Sequence, residues 1–152
     1  TVRHLLTMIA GLPFITRKQE NKKTRKKEIG QSSPGEIWAY NTESYGHLLD
    51  ILEAVSGKSI AQLTQRWLST PLGMTNTQWY ERRWVTARMD ANPIGLQMTA
   101  NDLTLVGKMM LAGGQWQGKH IFDKSYYSAA TNPSQSLNPA YGYLWCPTGE
   151  KL

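Results

Sequence analysis

Residues 33–74 read Ser33-Pro-Gly-Glu-Ile-Trp-Ala-Tyr40-Asn-Thr-Glu-Ser-Tyr-Gly-His-Leu-Leu-Asp50-Ile-Leu-Glu-Ala-Val-Ser-Gly-Lys-Ser-Ile60-Ala-Gln-Leu-Thr-Gln-Arg-Trp-Leu-Ser-Thr70-Pro-Leu-Gly-Met74, and the order of signals within them decides the fold. Pro34-Gly35 marks a turn, and Ile37 to Tyr40 follows as a short extended piece. Tyr45, Leu48, Leu49, Leu52 and Val55 then recur at spacings of three and four, which predicts an amphipathic helix ended by Gly57. Ser59 with Gln62 three residues on is a capping-box pattern. It opens a third helix with Ile60, Leu63, Trp67 and Leu68 on one face, and Pro71-Leu-Gly-Met74 terminates it.

Upstream, Val2, Leu5, Leu6 and Ile9 have helical spacing, predicting a helix that stops at Gly11 with Pro13 beyond. The apolar stretch after Arg3 and His4 is short, is broken by Thr7 and Gly11, and lacks a small-x-small cleavage site. It therefore reads as a helix rather than a secretion signal. The chain starts at Thr1 rather than Met, so a processed, trimmed or partial sequence is expected. Downstream, 75–93 is irregular and rich in Trp and Arg. Thr99 with Asp102 starts a fourth helix with Leu103, Val106, Met109 and Met110 inward and Gly113-Gly114 as its stop. Gln115 to Phe122 reads as a hairpin around Gln117-Gly118, and Asp123 caps a last helix to about Ala130. Tyr141-Gly-Tyr-Leu-Trp145 has the alternation of a strand, with only the 115–122 hairpin as a candidate partner. The fold class expected is mostly α with a few β-strands.

Composition narrows the function classes. The chain has 152 residues, 40% of them hydrophobic and 10% aromatic, enough for a packed core, and its 13 Gly and 7 Pro follow no repeat. The single cysteine, Cys146, excludes an internal disulfide framework and four-cysteine zinc modules. Net charge is +6, from 17 Lys plus Arg against 11 Asp plus Glu. Seven of those bases and two of the acids lie in Arg17–Glu28, leaving ten and nine elsewhere, so one loop is basic and the body is nearly neutral. That run reads as part of a solvated surface loop over 17–35. The alternative is a non-catalytic helical module docking an anionic partner through Lys22, Lys23, Arg25, Lys26 and Lys27. Interleaved aromatics are missing from it, and the six tryptophans read as core or groove-wall residues, so nucleic acid is not the expected partner. No stretch reaches the roughly 20 apolar residues of a transmembrane helix. His4, His47 and His120 lack metal-ligand spacing, so no metal and no cofactor is expected.

Several blocks carry a family resemblance. The 33–74 stretch has the Pro-Gly turn, an aromatic, Tyr40-Asn41-Thr42, a helix ending in Ser56-Gly-Lys58, and a second helix running into Pro71-Leu-Gly-Met74. Thr1 to Pro13, the Gly95-Leu-x-x-Thr-x-x-Asp-Leu103 helix and the Gly113-Gly-x-x-x-Gly-Lys119 turn follow the same pattern. The chain thereby resembles the serine β-lactamase and penicillin-binding-protein superfamily, particularly its class C-like esterases, peptidases and aminohexanoate-oligomer hydrolases. The resemblance implies the helical region plus part of the α/β region of that fold, as one partial domain over 1–152.

It also implies a chemistry. In such enzymes a serine in Ser-x-x-Lys attacks an ester, amide or lactam carbonyl, and the lysine and a tyrosine handle its proton. The tyrosine would be Tyr40, and Asn41 and Thr42 would contact substrate. A phenol acts as a base near neutral pH only beside positive charge, which the family's lysine supplies. This chain contains no Ser-x-x-Lys: Ser56-Gly-Lys58 has the wrong spacing, and Thr24-Arg-Lys-Lys27 lies in the charge-dense run. Pro147-Thr-Gly149 imitates the family's Lys/His-Thr-Gly but falls where a turn is expected. The chain is therefore expected to be inactive alone, with the missing N- and C-terminal parts of the fold as its partners and a small-molecule or peptide-like carbonyl substrate in the parent. A periplasmic or extracellular location is implied by the resemblance only. Met8-Ile-Ala-Gly-Leu12 replaces a common His-Thr-Ser-Gly-Leu, and Thr42 stands where many members have Asn, which argues against a dedicated β-lactamase more than against hydrolysis.

Overall fold

A computed structural model describes residues 1–12, 32–85 and 92–147. The basic run, with Lys22, Lys23, Arg25, Lys26 and Lys27, lies outside them, as do Thr148 and Gly149. The chain divides into two compact units, one of Thr1–Asp50, Trp84–Asn92 and Ala129–Leu152, the other of Ile51–Arg83 and Pro93–Ser128.

In the first unit, α1 spans Val2–Leu6, capped by the Thr1 hydroxyl, which accepts from the His4 N–H. It ends short of Gly11, where the spacing had placed its stop. Thr7 Oγ1 donates back to the Arg3 carbonyl at 2.8 Å, and Met8 turns left-handed with φ 60°. This exit frees the Met8 and Ile9 carbonyls for other partners while their side chains stay buried, at 1% and 9% exposure. The helix α2 spans Thr42–Ser56 and begins three residues before the first apolar repeat; Gly57 follows it with φ 64°. Tyr141–Trp145 does not form a strand. Its Gly142 N–H donates to the Trp145 carbonyl at 2.8 Å and Leu144 has φ 60°, so the segment closes on itself as a turn. A strand needs a neighbour to satisfy its peptide groups, and here Ala130 and Leu6 carbonyls take the Tyr143 and Leu144 N–H groups instead.

The second unit has the cap that Ser59 and Gln62 predict. Ser59 Oγ accepts from the Gln62 N–H and Gln62 Oε1 from the Ser59 N–H, opening α3, Ile60–Thr64. A π-turn over Gln65–Ser69 follows, then α4, Thr70–Leu72, closed by Gly73 at φ 72°. The strand β1, Thr77–Glu81, pairs antiparallel with β2, Ile94–Met98, with Trp79 opposite Leu96. Strand pairing thus occupies part of 75–93, the stretch whose pattern reads as irregular, with only Thr77 and Trp79 of β1 partly buried. Next, α5 spans Ala100–Leu111, with Thr99 as its cap. Met109 and Met110 are buried as expected and Val106 packs on that core, but Leu103 points outward at 59% exposure. A short hairpin, β3 at Gln115–Trp116 and β4 at Lys119–His120, turns at Gln117 and Gly118, both with positive φ. Finally α6, Lys124–Thr131, starts at Asp123, whose Oδ1 accepts from the Ser125 and Tyr126 N–H groups. The Ser125 hydroxyl donates to the same oxygen, and that bond first, then the two N–H bonds, holds the Asp123 carboxyl below its ordinary value. Leu72, Met74, Met109 and Met110 form the core, with Leu68, Trp116, Phe122 and Tyr127 packed against it. Trp67, Trp84 and Trp145, expected to be core or groove-wall residues, are exposed.

Candidate active site

Every candidate catalytic or substrate-contacting residue lies in the first unit. The turn at Ser33–Glu36 is tied by the Glu36 N–H to the Ser33 carbonyl at 3.1 Å, and by the Ser33 N–H to Glu36 Oε2 at 2.7 Å. Two main-chain bonds then fasten the chain to the end of α1: Gly35 N–H to the Ile9 carbonyl at 2.8 Å, and Ala39 N–H to the Met8 carbonyl at 3.0 Å. The left-handed turn at Met8 is what makes those carbonyls available.

Trp38 and Tyr40, two residues apart, flank the Ala39 anchor. Both meet Tyr141. The Trp38 and Tyr141 ring centroids are 5.5 Å apart at 66°, and those of Tyr40 and Tyr141 are 6.5 Å apart at 87°. Such edge-to-face pairs contribute roughly 0.5–1.5 kcal/mol beyond area burial. Tyr40 itself is 48% exposed, so its ring is braced on one side and open on the other.

Tyr141 is buried at 4% exposure. Its N–H donates to the Asn138 carbonyl at 3.2 Å, and its carbonyl accepts from the Ser134 N–H and hydroxyl, each at 3.3 Å. A Cβ on the next residue, Gly142, would stand 1.9 Å from the Ala130 carbonyl oxygen, so only glycine fits there. Burial pushes the Tyr141 phenol well above the usual tyrosine range, and the neighbouring Tyr40, Cys146 and Tyr45 push it further. Tyr141 therefore stays a neutral phenol at physiological pH.

Asn41 and Thr42 follow Tyr40 but are placed differently. Asn41 is 1% exposed, and its carbonyl accepts from the Ser44 N–H at 3.2 Å. Thr42 is half-buried and is the first residue of α2. Ser44, buried at 1%, belongs to the same turn and had no signal in the sequence beyond its neighbours. Tyr141 was legible only as part of a supposed strand, and its partnership with Trp38 and Tyr40 could have been sought from the alternation of those two aromatics.

Among the described residues no cluster of His, Cys, Asp and Glu is arranged to hold a metal ion. Cys146 is exposed. No helix among the described residues is long and apolar enough to cross a membrane.

The described elements are mostly helices with two small antiparallel sheets, and Tyr40 stands exposed just before the longest helix. The chain belongs to the Beta-lactamase family, whose model matches residues 1–150. It is 30% identical over 121 residues to a penicillin-binding protein of Bacillus subtilis, across 70% of this chain and 27% of that protein. Two solved structures share the fold: a putative 6-aminohexanoate-dimer hydrolase from Bacillus anthracis (TM-score 0.71, 20% identity, 99% of this chain and 48% of that one) and a penicillin-binding protein from Bacillus halodurans (TM-score 0.67, 17% identity, 94% and 54%). The chain thus spans about half the length, or less, of these relatives.

Proposed function

We propose that the protein carrying this chain is a serine hydrolase that opens an ester, amide or lactam bond through an acyl-enzyme, with Tyr40 in proton transfer. The observation that carries this reading is the mounting of Tyr40. Its ring is braced edge-on by a buried, neutral tyrosine, its backbone is fastened to the end of α1, and half of its surface is open. A proton-transfer group must be held in place yet remain reachable, and this arrangement does both. Asn41, whose carbonyl also closes the turn to Ser44, and the half-buried Thr42 would contact substrate beside Tyr40. The serine and lysine would come from a Ser-x-x-Lys segment outside these 152 residues.

Two measurements test this. The 152-residue chain, incubated with a fluorescent penicillin and with a fluorophosphonate, should show no stoichiometric serine adduct by intact mass; a specific one-to-one serine adduct would overturn the division of the site. Sequencing the DNA on both sides should show an in-frame Ser-x-x-Lys upstream of Thr1, and its absence would refute the hydrolase assignment.

A further inference from the structure

The second unit carries a cleft whose chemistry the proposed hydrolysis does not use. It encloses about 380 Å³, within the roughly 300–1,000 Å³ of small-molecule sites. Thr64, Gln65 and Ser69 come from α3 and the π-turn, Thr77, Gln78 and Trp79 from β1, and Met74 supplies an apolar patch. Among the described residues no charged side chain lines it.

Three features mark it as built rather than incidental. The helix widens here into a π-turn, closed by the Thr70 N–H on the Gln65 carbonyl, a distortion that recurs at functional sites. Ser69 lies on that turn and is 8% exposed, yet its hydroxyl makes no hydrogen bond within the described residues. That oxygen is not sealed from solvent, so it is reached from the cleft and can bond a ligand or water there. Trp79 is fixed by its indole N–H, which donates to Thr64 Oγ1 at 2.9 Å, making the ring a pre-set apolar wall.

The lining also selects the ligand. An ion would find no counter-charge, and an apolar molecule would strip water from the amides and hydroxyls without replacing its hydrogen bonds. Gln65 and Gln78 are exposed and make no hydrogen bond within the described residues, and each amide can donate and accept at once. Paired donors and acceptors beside a flat ring match adjacent hydroxyl groups on a molecule with an apolar C–H face. We propose that this cleft binds a neutral oligosaccharide, independently of the hydrolytic site.

The test is titration of the 152-residue chain with chitotriose, cellotriose and a blocked, uncharged trialanine, followed by saturation-transfer NMR and calorimetry. At least one sugar should bind with a Kd of about 1 mM, a value typical of weak binding near −4 kcal/mol. Gln78→Ala and Ser69→Ala should each weaken it roughly 2- to 10-fold, the range for one lost hydrogen bond. Gln78 is exposed, so its replacement leaves the fold in place, and unchanged folding is verified by circular dichroism. Affinity should not change between low and high salt, because no charges take part. The proposal is overturned if neither sugar binds at about ten times that concentration, if Gln78→Ala binds as the parent does, or if only the peptide binds.

Discussion

Asp102 ties the start of α5 to the segment entering β1, and replacing it should show how much that tie is worth. The side chain is 3% exposed. Its Oδ2 accepts from the Asn76 N–H at 2.9 Å and from the Thr77 hydroxyl at 2.9 Å, and its Oδ1 from the Thr75 N–H at 3.4 Å. Hydrogen bonds to a charged group contribute about 1.5–3 kcal/mol each. Thr75 and Asn76 are exposed, so water recovers part of the loss when the carboxylate is removed. Two good bonds at the lower end of the range, and a long third bond counted as nothing, give about 3 kcal/mol for Asp102→Ala. Asp102→Asn keeps one acceptor oxygen and should lose about half as much. With a urea slope of about 2 kcal/mol per molar, the alanine variant should unfold at a midpoint about 1.5 M lower. Hydrogen exchange at the Asn76 amide should accelerate in the same variant. A midpoint shift under about 0.3 M, with the Asn76 amide exchanging as before, would refute the reasoning.

Other substitutions probe other parts of the fold. Gly142→Ala forces a Cβ against the Ala130 carbonyl oxygen and should cost at least ~3 kcal/mol, as core overpacking and strain do. Gly57→Ala, with φ 64° but open space, should cost only about 1–2 kcal/mol by the same denaturation assay. Ser59→Ala removes one half of the capping box and should lower stability by about 1 kcal/mol, with Gln62→Ala adding little on top of it. Tyr141 holds its proton more tightly folded than unfolded, so its stabilising contribution is complete below pH of about 10 and declines as pH rises beyond it. Thermal melts from pH 8 to 11 should show this decline, and Tyr141→Phe should flatten it.

Local chemistry made most of the helices legible. Ser59 with Gln62, Thr99, Asp123 and the glycines at 57, 73, 113 and 114 act through neighbours in sequence, and the structure places each where its pattern predicts. What the sequence concealed depends on distant partners. The pairing of β1 with β2 joins residues separated by an intervening stretch, and five-residue strands with exposed faces leave little periodicity to read. Leu103 fits an inward face by spacing, yet the core beneath α5 is filled by Met109 and Met110. Tyr141–Trp145 alternates like a strand, but its N–H groups are taken by carbonyls at Ala130, Leu6 and its own turn. In the candidate site, Tyr40, Asn41 and Thr42 were visible as a motif. The brace on Tyr141 was not, because it joins residues a hundred positions apart. The Lys22–Lys27 alternative is a property of the sequence only.

The central claim is that Tyr40 moves a proton in acyl transfer. Its most direct test is the acylation rate of the longer protein, containing this chain and an upstream Ser-x-x-Lys, with wild-type Tyr40 and with Tyr40→Phe. Loss of a positioned proton-transfer group should slow acylation about 10²- to 10⁴-fold while the protein stays folded. A folded Tyr40→Phe protein that acylates at the wild-type rate would contradict the account.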